Sequence, residues 1–188
     1  MEKFISALRS IYPLSDRALS VFLESAEQVT LPKGHILIRS GIIEQYSYFI
    51  INGFARGYFY KEGRDITIWF ASVGMTLLSM NAYMFYASGY ENIQLLEECT
   101  LLKIPNRKLN QLFEQEVELA NLGRRMSDHV ILKMEQWFME RNFMSASERY
   151  HLLIEREPEI LQKVPLGHIA SYLGISQVSL SRIRAGIQ

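Results

Sequence analysis

The sequence has little cysteine and no long apolar run. One thiol, Cys99 among 188 residues, cannot form an internal disulfide, and by itself it cannot supply an iron–sulfur cluster or a cysteine-rich zinc site. No apolar run reaches the roughly 18 residues that a membrane span requires. The basic start, Met1 to Phe4, is not followed by the apolar stretch of a signal peptide. We therefore expect a soluble, cytoplasmic protein with no membrane partner.

The formal net charge is zero, because 20 Lys and Arg residues balance 20 Asp and Glu residues. The charges are unevenly placed, since residues 163–188 contain no carboxylate side chain but include Lys163, Arg182 and Arg184. This distribution favours a polyanionic partner at the C-terminal end and nowhere else. The hydrophobic fraction of 48% is high enough for a packed core, which excludes a disordered or fibrous chain.

The first two thirds of the chain change from a helical to a strand pattern. Apolar residues at helical spacing predict two helices within the first 25 residues, the second with Ser15 as N-cap. From about residue 27 to 104, short apolar segments alternate with turn residues, which predicts an antiparallel β-barrel or β-roll. The pair Asn52-Gly53 predicts a two-residue hairpin that joins strands 46–51 and 54–60.

After Pro105 the sequence predicts a short helix at 107–113 and a long helix at about 117–141. Apolar residues recur every three or four positions along the long helix. It can pack on its own barrel, or it can pair with a second copy in a two-stranded dimer. We favour the dimer, because a stripe of this length exceeds the width of one small domain. The predicted dimer contacts are Leu119, Leu122, Met126, Val130 and Met134.

The C-terminal segment has the pattern of a helix-turn-helix. A capping box of Ser145 and Glu148 opens a preceding helix. Residues 164–184 then provide Pro165 for a first helical turn, Gly174 for a turn with positive φ, and Ser176 as the cap of a second helix.

On this second helix, Leu180 and Ile183 face the first helix, where Ile169, Ala170 and Leu173 form the inner side. An ordinary α-hairpin in a core is the alternative. The outward face argues against it, because that face is small or hydrogen-bonding, contains no acid and suits the major groove. The predicted DNA-binding residues are Ser176, Gln177, Val178, Ser179, Ser181 and Arg182.

The order of these parts resembles the cyclic-AMP receptor protein and fumarate–nitrate regulator (Crp/Fnr) superfamily of bacterial transcription factors. The resemblance covers essentially the whole chain. It rests on Ser40-Gly41, Asn52-Gly53, Val73-Gly74, the run from Ile169 to Ser176 and the run from Leu180 to Ile183. It implies an α+β fold with a jelly roll like that of cyclic nucleotide-binding domains, a dimerisation helix and a winged-helix-like C-terminal domain.

The expected domains are a β-roll effector or sensor domain at 1–115, a dimerisation helix and linker at 116–144, and a helix-turn-helix DNA-binding domain at 145–188. The implied partners are a two-fold symmetric double-stranded DNA operator, a second copy of the chain, RNA polymerase and a small effector. The recognition helix departs from the family pattern of Arg and Glu, because the aligned positions are Gln177 and Val178. These side chains suit adenine and the thymine methyl group, so we expect a half-site richer in A·T.

The sequence also departs from cyclic nucleotide binders of this family. Such proteins use a Glu for the ribose and an Arg for the cyclic phosphate, and these positions align with Ser79 and Gly89. No arginine lies between Arg64 and Arg107. We therefore expect an effector other than cyclic AMP, and no cofactor. The side chains of Met75, Met80, Tyr83, Met84 and Tyr86 are candidates for an apolar effector pocket, although the same residues also suit a plain core.

Two other functions remain open. A β-roll also hosts metal enzymes of the cupin type, but the four histidines, His35, His129, His151 and His168, do not have the paired spacing of such a site. No metal site, catalytic residue or enzymatic activity is therefore expected. The second alternative is a sensor or partner-binding protein that no longer binds DNA, because the basic residues of the C-terminal segment are few.

Overall fold

A computed structural model describes residues 1–186. The chain begins with helices α1 (Glu2–Ile11) and α2 (Asp16–Glu24). The Ser15 hydroxyl accepts a hydrogen bond from the Ala18 amide, as the sequence predicts for an N-cap. Both helices bury one apolar face, with Phe4, Leu8 and Phe22 fully enclosed.

Eight strands follow and form a β-roll of two antiparallel sheets, which confirms the predicted class of this region. They are β1 (Glu27–Leu31), β2 (Ile36–Ile38), β3 (Tyr46–Asn52), β4 (Ala55–Lys61), β5 (Arg64–Ala71), β6 (Thr76–Leu77), β7 (Asn92–Leu95) and β8 (Cys99–Pro105). The strand orders are β1-β8-β3-β6 in one sheet and β2-β7-β4-β5 in the other. Side chains such as Ile50, Leu95 and Leu101 fill the space between the sheets.

The hairpin predicted at Asn52-Gly53 is wrong. β3 pairs with β6 and β8, whereas β4 pairs with β5 and β7, so this turn carries the chain from one sheet to the other. A Cβ at Gly53 would lie 2.9 Å from the Cα of Cys99, and this close approach explains the glycine. The two-residue hairpin lies instead at Glu62 and Gly63, both with positive φ, where Lys61 pairs with Arg64.

Three helices come next: α3 (Met80–Phe85), which the sequence does not predict, α4 (Asn106–Gln115) and α5 (Val117–Phe143). The predicted short and long helices are therefore present with small shifts at their ends. Leu119 and Leu122 at the start of α5 pack with α1, α2 and α4 into one core of the same chain. Past Met126, most side chains of α5 lie at the surface.

The C-terminal segment contains α6 (Ala146–Arg156), α7 (Ile160–Lys163), α8 (Leu166–Leu173) and α9 (Gln177–Arg184). The capping box predicted at Ser145 and Glu148 is present. Residues 145–186 contain no strand, so the predicted winged-helix-like character has no wing within them. The last two positions of the domain predicted at 145–188 lie outside the described residues.

These four helices do not stand apart from the roll. Ile160, Ile169 and Leu180 share one apolar core with Phe54 and Leu96 of the roll. Aromatic rings extend the contact, since Phe70 lies 5.9 Å from Phe54 and 5.3 Å from Tyr172 between ring centroids. The roll and the C-terminal helices are therefore packed against each other.

Candidate nucleic-acid interface

The turn between α8 and α9 has the geometry that its sequence predicts. Gly174 has φ +69° and ψ +36°, a left-handed conformation that favours glycine. The amide of Ile175 donates to the carbonyl of Ala170 at 3.0 Å, which closes the end of α8. Ile169, Ala170 and Leu173 are buried on the inner side of α8, as expected.

Helix α9 presents one apolar side to α8 and the other side to solvent. The Ser176 hydroxyl accepts from the Ser179 amide at 3.0 Å and caps the helix, while Leu180 is completely buried. The six residues predicted to contact DNA lie together on the exposed surface of this helix and its cap: Ser176, Gln177, Val178, Ser179, Ser181 and Arg182. Among them Val178 is 63% exposed although it is apolar, so it is available for contact with a partner.

Arg56 on β4 fixes the position of α8, and sequence reasoning does not find this contact. Its side chain is only 4% exposed and donates to Gln94, Thr67 and Asp65, and to the His168 ring on α8. The only signal in the sequence is an arginine inside an otherwise apolar strand. Because a buried guanidinium requires partners, its place in β4 predicts a polar network but not the partners in it.

A second pair of hydrogen bonds joins the same two elements. The Ser171 hydroxyl of α8 accepts from the Thr67 amide at 3.0 Å and donates to the Asp65 carbonyl at 3.2 Å. The carboxyl of Asp65 has a lowered pKa, chiefly because Arg56 hydrogen-bonds it. The outward side of α9 is therefore presented from a helix pair that is anchored to the roll.

The candidate effector residues do not converge on one pocket. Met75 packs against the core between the two sheets, and Tyr83 packs against the core beneath α5 with its hydroxyl bonded to Asn110. Met80, Met84 and Tyr86 are each more than half exposed. The structure thus distributes these five side chains over two cores and the surface, and does not group them around a single cavity.

Of the positions that align with the cyclic-nucleotide residues, Gly89 has the Glu91 carboxylate beside it and Ser79 has a buried hydroxyl. Glu91 places its carboxylate oxygens 2.7 and 2.8 Å from where a Cβ of Gly89 would lie. An acid therefore stands beside the position where the family resemblance places an arginine. Ser79, 1% exposed, has a hydroxyl without a hydrogen-bond partner among the described residues.

The dimer stripe predicted on α5 needs correction at its start. Leu119 and Leu122 are buried in their own chain and are not available to a second copy, whereas Met126 packs against the same core with part of its side chain exposed. Apart from Val117 at its first position, the exposed apolar residues of α5 lie further along the helix: Val130, Ile131, Leu132, Met134, Trp137, Phe138, Met139 and Phe143. Val130, Met134 and Trp137 follow one face at spacings of four and three.

Two further properties of the described part of the chain bear on the alternatives. Within residues 1–186, no three His, Cys, Asp or Glu side chains lie close enough together to hold a metal ion. No helix in the same range is both long and apolar enough to cross a membrane.

Comparison with known proteins identifies the roll. Residues 28–116 match the family model of the cyclic nucleotide-binding domain. No curated protein matches the sequence.

Several solved structures share the fold over most of their length. FixK2 from Bradyrhizobium japonicum superposes with a TM-score of 0.73 at 16% identity, over 86% of this chain and 83% of that one. A transcriptional regulator of the crp/fnr family from Eubacterium rectale gives a TM-score of 0.72 at 17% identity, over 94% and 87%. The c-di-GMP responsive regulator CLP from Xanthomonas campestris gives 0.69 at 17% identity, over 92% and 91%. Residues 28–116 thus resemble a cyclic nucleotide-binding domain, and the chain has a Crp/Fnr-like fold.

Proposed function

We propose that the protein is a homodimeric, sequence-specific DNA-binding transcription regulator of the Crp/Fnr type, controlled by a small effector other than cyclic AMP. The observation that carries the proposal is the outward side of α9. Its side chains are exposed, uncharged or basic, and the helix is held from behind by the buried Leu180. A major groove admits a helix of this kind.

Individual side chains of α9 fit base recognition. The Gln177 amide can pair with both N6 and N7 of adenine, and Val178 can contact a thymine methyl group. Arg182 adds a guanidinium that can reach a guanine edge or a phosphate. We therefore infer a half-site richer in A·T than sites that are read by Arg and Glu at the start of this helix.

A second copy accounts for the exposed apolar residues of α5. Val130, Met134 and Trp137 lie on one face of the helix and are 52, 65 and 39% exposed. A continuous apolar stripe of this kind is stabilised when another helix covers it. A two-fold dimer through α5 presents two copies of α9, which suits a two-fold symmetric operator.

Control by cyclic AMP does not fit the site. The cyclic phosphate needs a cationic partner, but the position aligned with the family arginine is Gly89 and the neighbouring charged group is the Glu91 carboxylate. A buried anion next to a carboxylate is destabilised by several kcal/mol. The effector is therefore of another chemical class, and the roll is the domain that receives it. In this proposal regulation reaches RNA polymerase through the DNA-bound dimer.

Selection of bound fragments from random double-stranded DNA tests this function and yields the operator. The purified parent protein should enrich a two-fold symmetric sequence with A·T-rich half-sites. The matched control is the double variant Gln177→Ala with Arg182→Ala, which changes exposed side chains only and should enrich the operator much more weakly.

A lack of enrichment by the parent protein would contradict DNA binding. It would favour the alternative, a sensor or partner-binding protein whose C-terminal helices contact another protein. The packing of these helices on the roll is the observation that supports this alternative.

A further inference from the structure

Two arginines lie beside the turn that leads into α9. Arg141, in the last turn of α5, places its guanidinium over Gly174, where a Cβ would overlap it. Arg149, on α6, donates to the carbonyl of Leu173 at 3.1 Å and to the carbonyl of Met144. The ends of α5, α6 and α8 therefore meet at this point.

The carboxylates adjacent to these arginines in sequence already have other partners. Glu140 pairs with Arg156, and the Glu148 carboxylate accepts from the Ser145 amide in the capping box. Within residues 1–186, neither Arg141 nor Arg149 forms an ion pair, and the buried Nε of Arg149 has no hydrogen-bond partner. Two positively charged guanidinium groups thus lie beside the same turn, and that of Arg149 already donates to two carbonyls.

Electrostatics support the proximity of these two groups. Burial and the neighbouring charge of Arg141 lower the pKa of Arg149. Like charges in contact are unfavourable, and an anion that accepts from both guanidinium groups removes this repulsion. Guanidinium groups are particularly suited to phosphate, because their planar donors match its oxygens in pairs.

We propose that Arg141 and Arg149 form a binding site for one backbone phosphate of the DNA beside the groove that α9 occupies. The proposal rests on the proposed function, since the phosphate belongs to the same duplex. The site is only two residues from the Ser176 cap of α9, and no acidic residue in 163–188 opposes an anion there. Contacts to phosphate orient a reading helix but carry no base information.

The main test uses the variant Arg141→Gln, which removes the charge but keeps the length of the side chain. Arg149 is left unchanged, because its hydrogen bonds to two carbonyls hold the turn. The matched control is Arg125→Gln, an exposed arginine on the same helix that pairs with Asp128. Binding to the selected operator and to a scrambled duplex is measured by fluorescence anisotropy over a range of salt concentrations.

The expected result is a loss of about tenfold in affinity per half-site for Arg141→Gln, equal for both duplexes. The slope of log affinity against log salt should become shallower by about one per half-site, while Arg125→Gln should behave like the parent protein. Arg141→Lys should recover part of the affinity, because it restores the charge without the planar donors.

A methylphosphonate scan of the operator provides a readout that a purely structural role of Arg141 would not change. Neutralising one particular phosphate in each half-site should weaken the parent protein and leave Arg141→Gln unaffected. If the parent protein binds the operator and Arg141→Gln matches Arg125→Gln in affinity and salt slope, the phosphate site is wrong and the proposed function stands. If the parent protein binds no duplex, both are wrong.

Discussion

Arg56 and His168 are 112 residues apart in sequence, yet Arg56 Nη1 lies 2.8 Å from His168 Nδ1. Arginine can only donate hydrogen bonds, so Nδ1 must accept and the imidazole must be neutral. The contact links strand β4 of the roll to helix α8 of the C-terminal segment. Asp65, which also bonds Arg56, is an acidic group that acts on this histidine in the opposite direction to Arg56.

This contact predicts that the protein loses stability in mild acid. Burial, and second the Arg56 charge, lower the pKa of His168 from 6.5, so the folded state takes up its proton at lower pH than the unfolded state does. Below about pH 6.5 the unfolded chain therefore binds more protons, and the free energy of unfolding falls by at most about 1.4 kcal/mol per pH unit. Urea denaturation at a series of pH values from 5 to 8 measures how the free energy of unfolding depends on pH.

The variant His168→Asn should flatten this dependence, because an amide oxygen can accept from Arg56 and does not titrate. His129→Asn is the control, since His129 lies exposed on α5 and its replacement should leave the slope unchanged. An identical acid slope in the His168→Asn variant would show that other groups cause the effect.

The dimer interface predicts a specific change in mass. The parent protein should sediment at about 44 kDa, twice the 21.8 kDa of one chain, and Met134→Glu should give a monomer because a charge cannot be buried between two helices without a partner. Gln136→Glu introduces the same side chain on the opposite side of α5 and should remain dimeric. A dimeric Met134→Glu variant at tens of micromolar would place the interface elsewhere.

The substitution Leu122→Ala should lower the stability of the fold and leave dimer formation unchanged. Its side chain is 3% exposed in the core beneath α5, so Leu122→Ala should lower the free energy of unfolding by about 2–5 kcal/mol. The folded variant should keep the sedimentation behaviour of the parent protein. Denaturant titration together with sedimentation distinguishes this result from a loss of dimer contacts.

Cyclic AMP should not bind. The Glu91 carboxylate stands beside Gly89, and no arginine lies between Arg64 and Arg107 in the sequence to neutralise a phosphate. Titration calorimetry of the parent protein with cyclic AMP and cyclic GMP should therefore give no heat of binding. Micromolar affinity for either nucleotide would show that the positions aligned with Ser79 and Gly89 are the wrong ones.

Gln177 and Arg182 should affect DNA binding in different ways. Gln177→Ala should relax the preference at one base pair, while Arg182→Ala should cost about 1–3 kcal/mol per half-site. Both side chains are exposed, so the thermal stability should stay the same. If both variants bind the selected operator as tightly as the parent protein over a range of salt concentrations, α9 is not the reading helix.

Local signals in the sequence were sufficient for most elements. The caps at Ser15, Ser145 and Ser176 each begin a helix where the sequence predicts one, because capping depends on residues within one turn. The same holds for Gly174, whose left-handed conformation is a local property. The exposed side chains of α9 also follow directly from helical periodicity once its inner face is known.

Contacts between elements that are far apart in the sequence cannot be predicted from such local signals. Asn52-Gly53 is a strong hairpin signal, yet the strand before it pairs with β8, 48 to 59 residues away (Asn52 with Thr100, Tyr46 with Pro105), and the strand after it pairs with β7, 34 to 40 residues away (Tyr58 with Asn92, Ala55 with Leu95). Leu119 and Leu122 belong to the same apolar stripe as Val130, but their burial depends on where α1, α2 and α4 pack. The Arg56 network likewise needs α8, which lies more than 100 residues downstream.

The close packing of Gly53 on Cys99 has a practical consequence. The single thiol of the chain is fully enclosed and its pKa is raised, chiefly by burial, so the native protein offers no reactive thiolate to a reagent in solution. Thiol labelling can proceed only when β8 separates from the turn at Gly53. The labelling rate at Cys99 therefore reports how often the roll opens at this point, and the measurement requires no engineered probe.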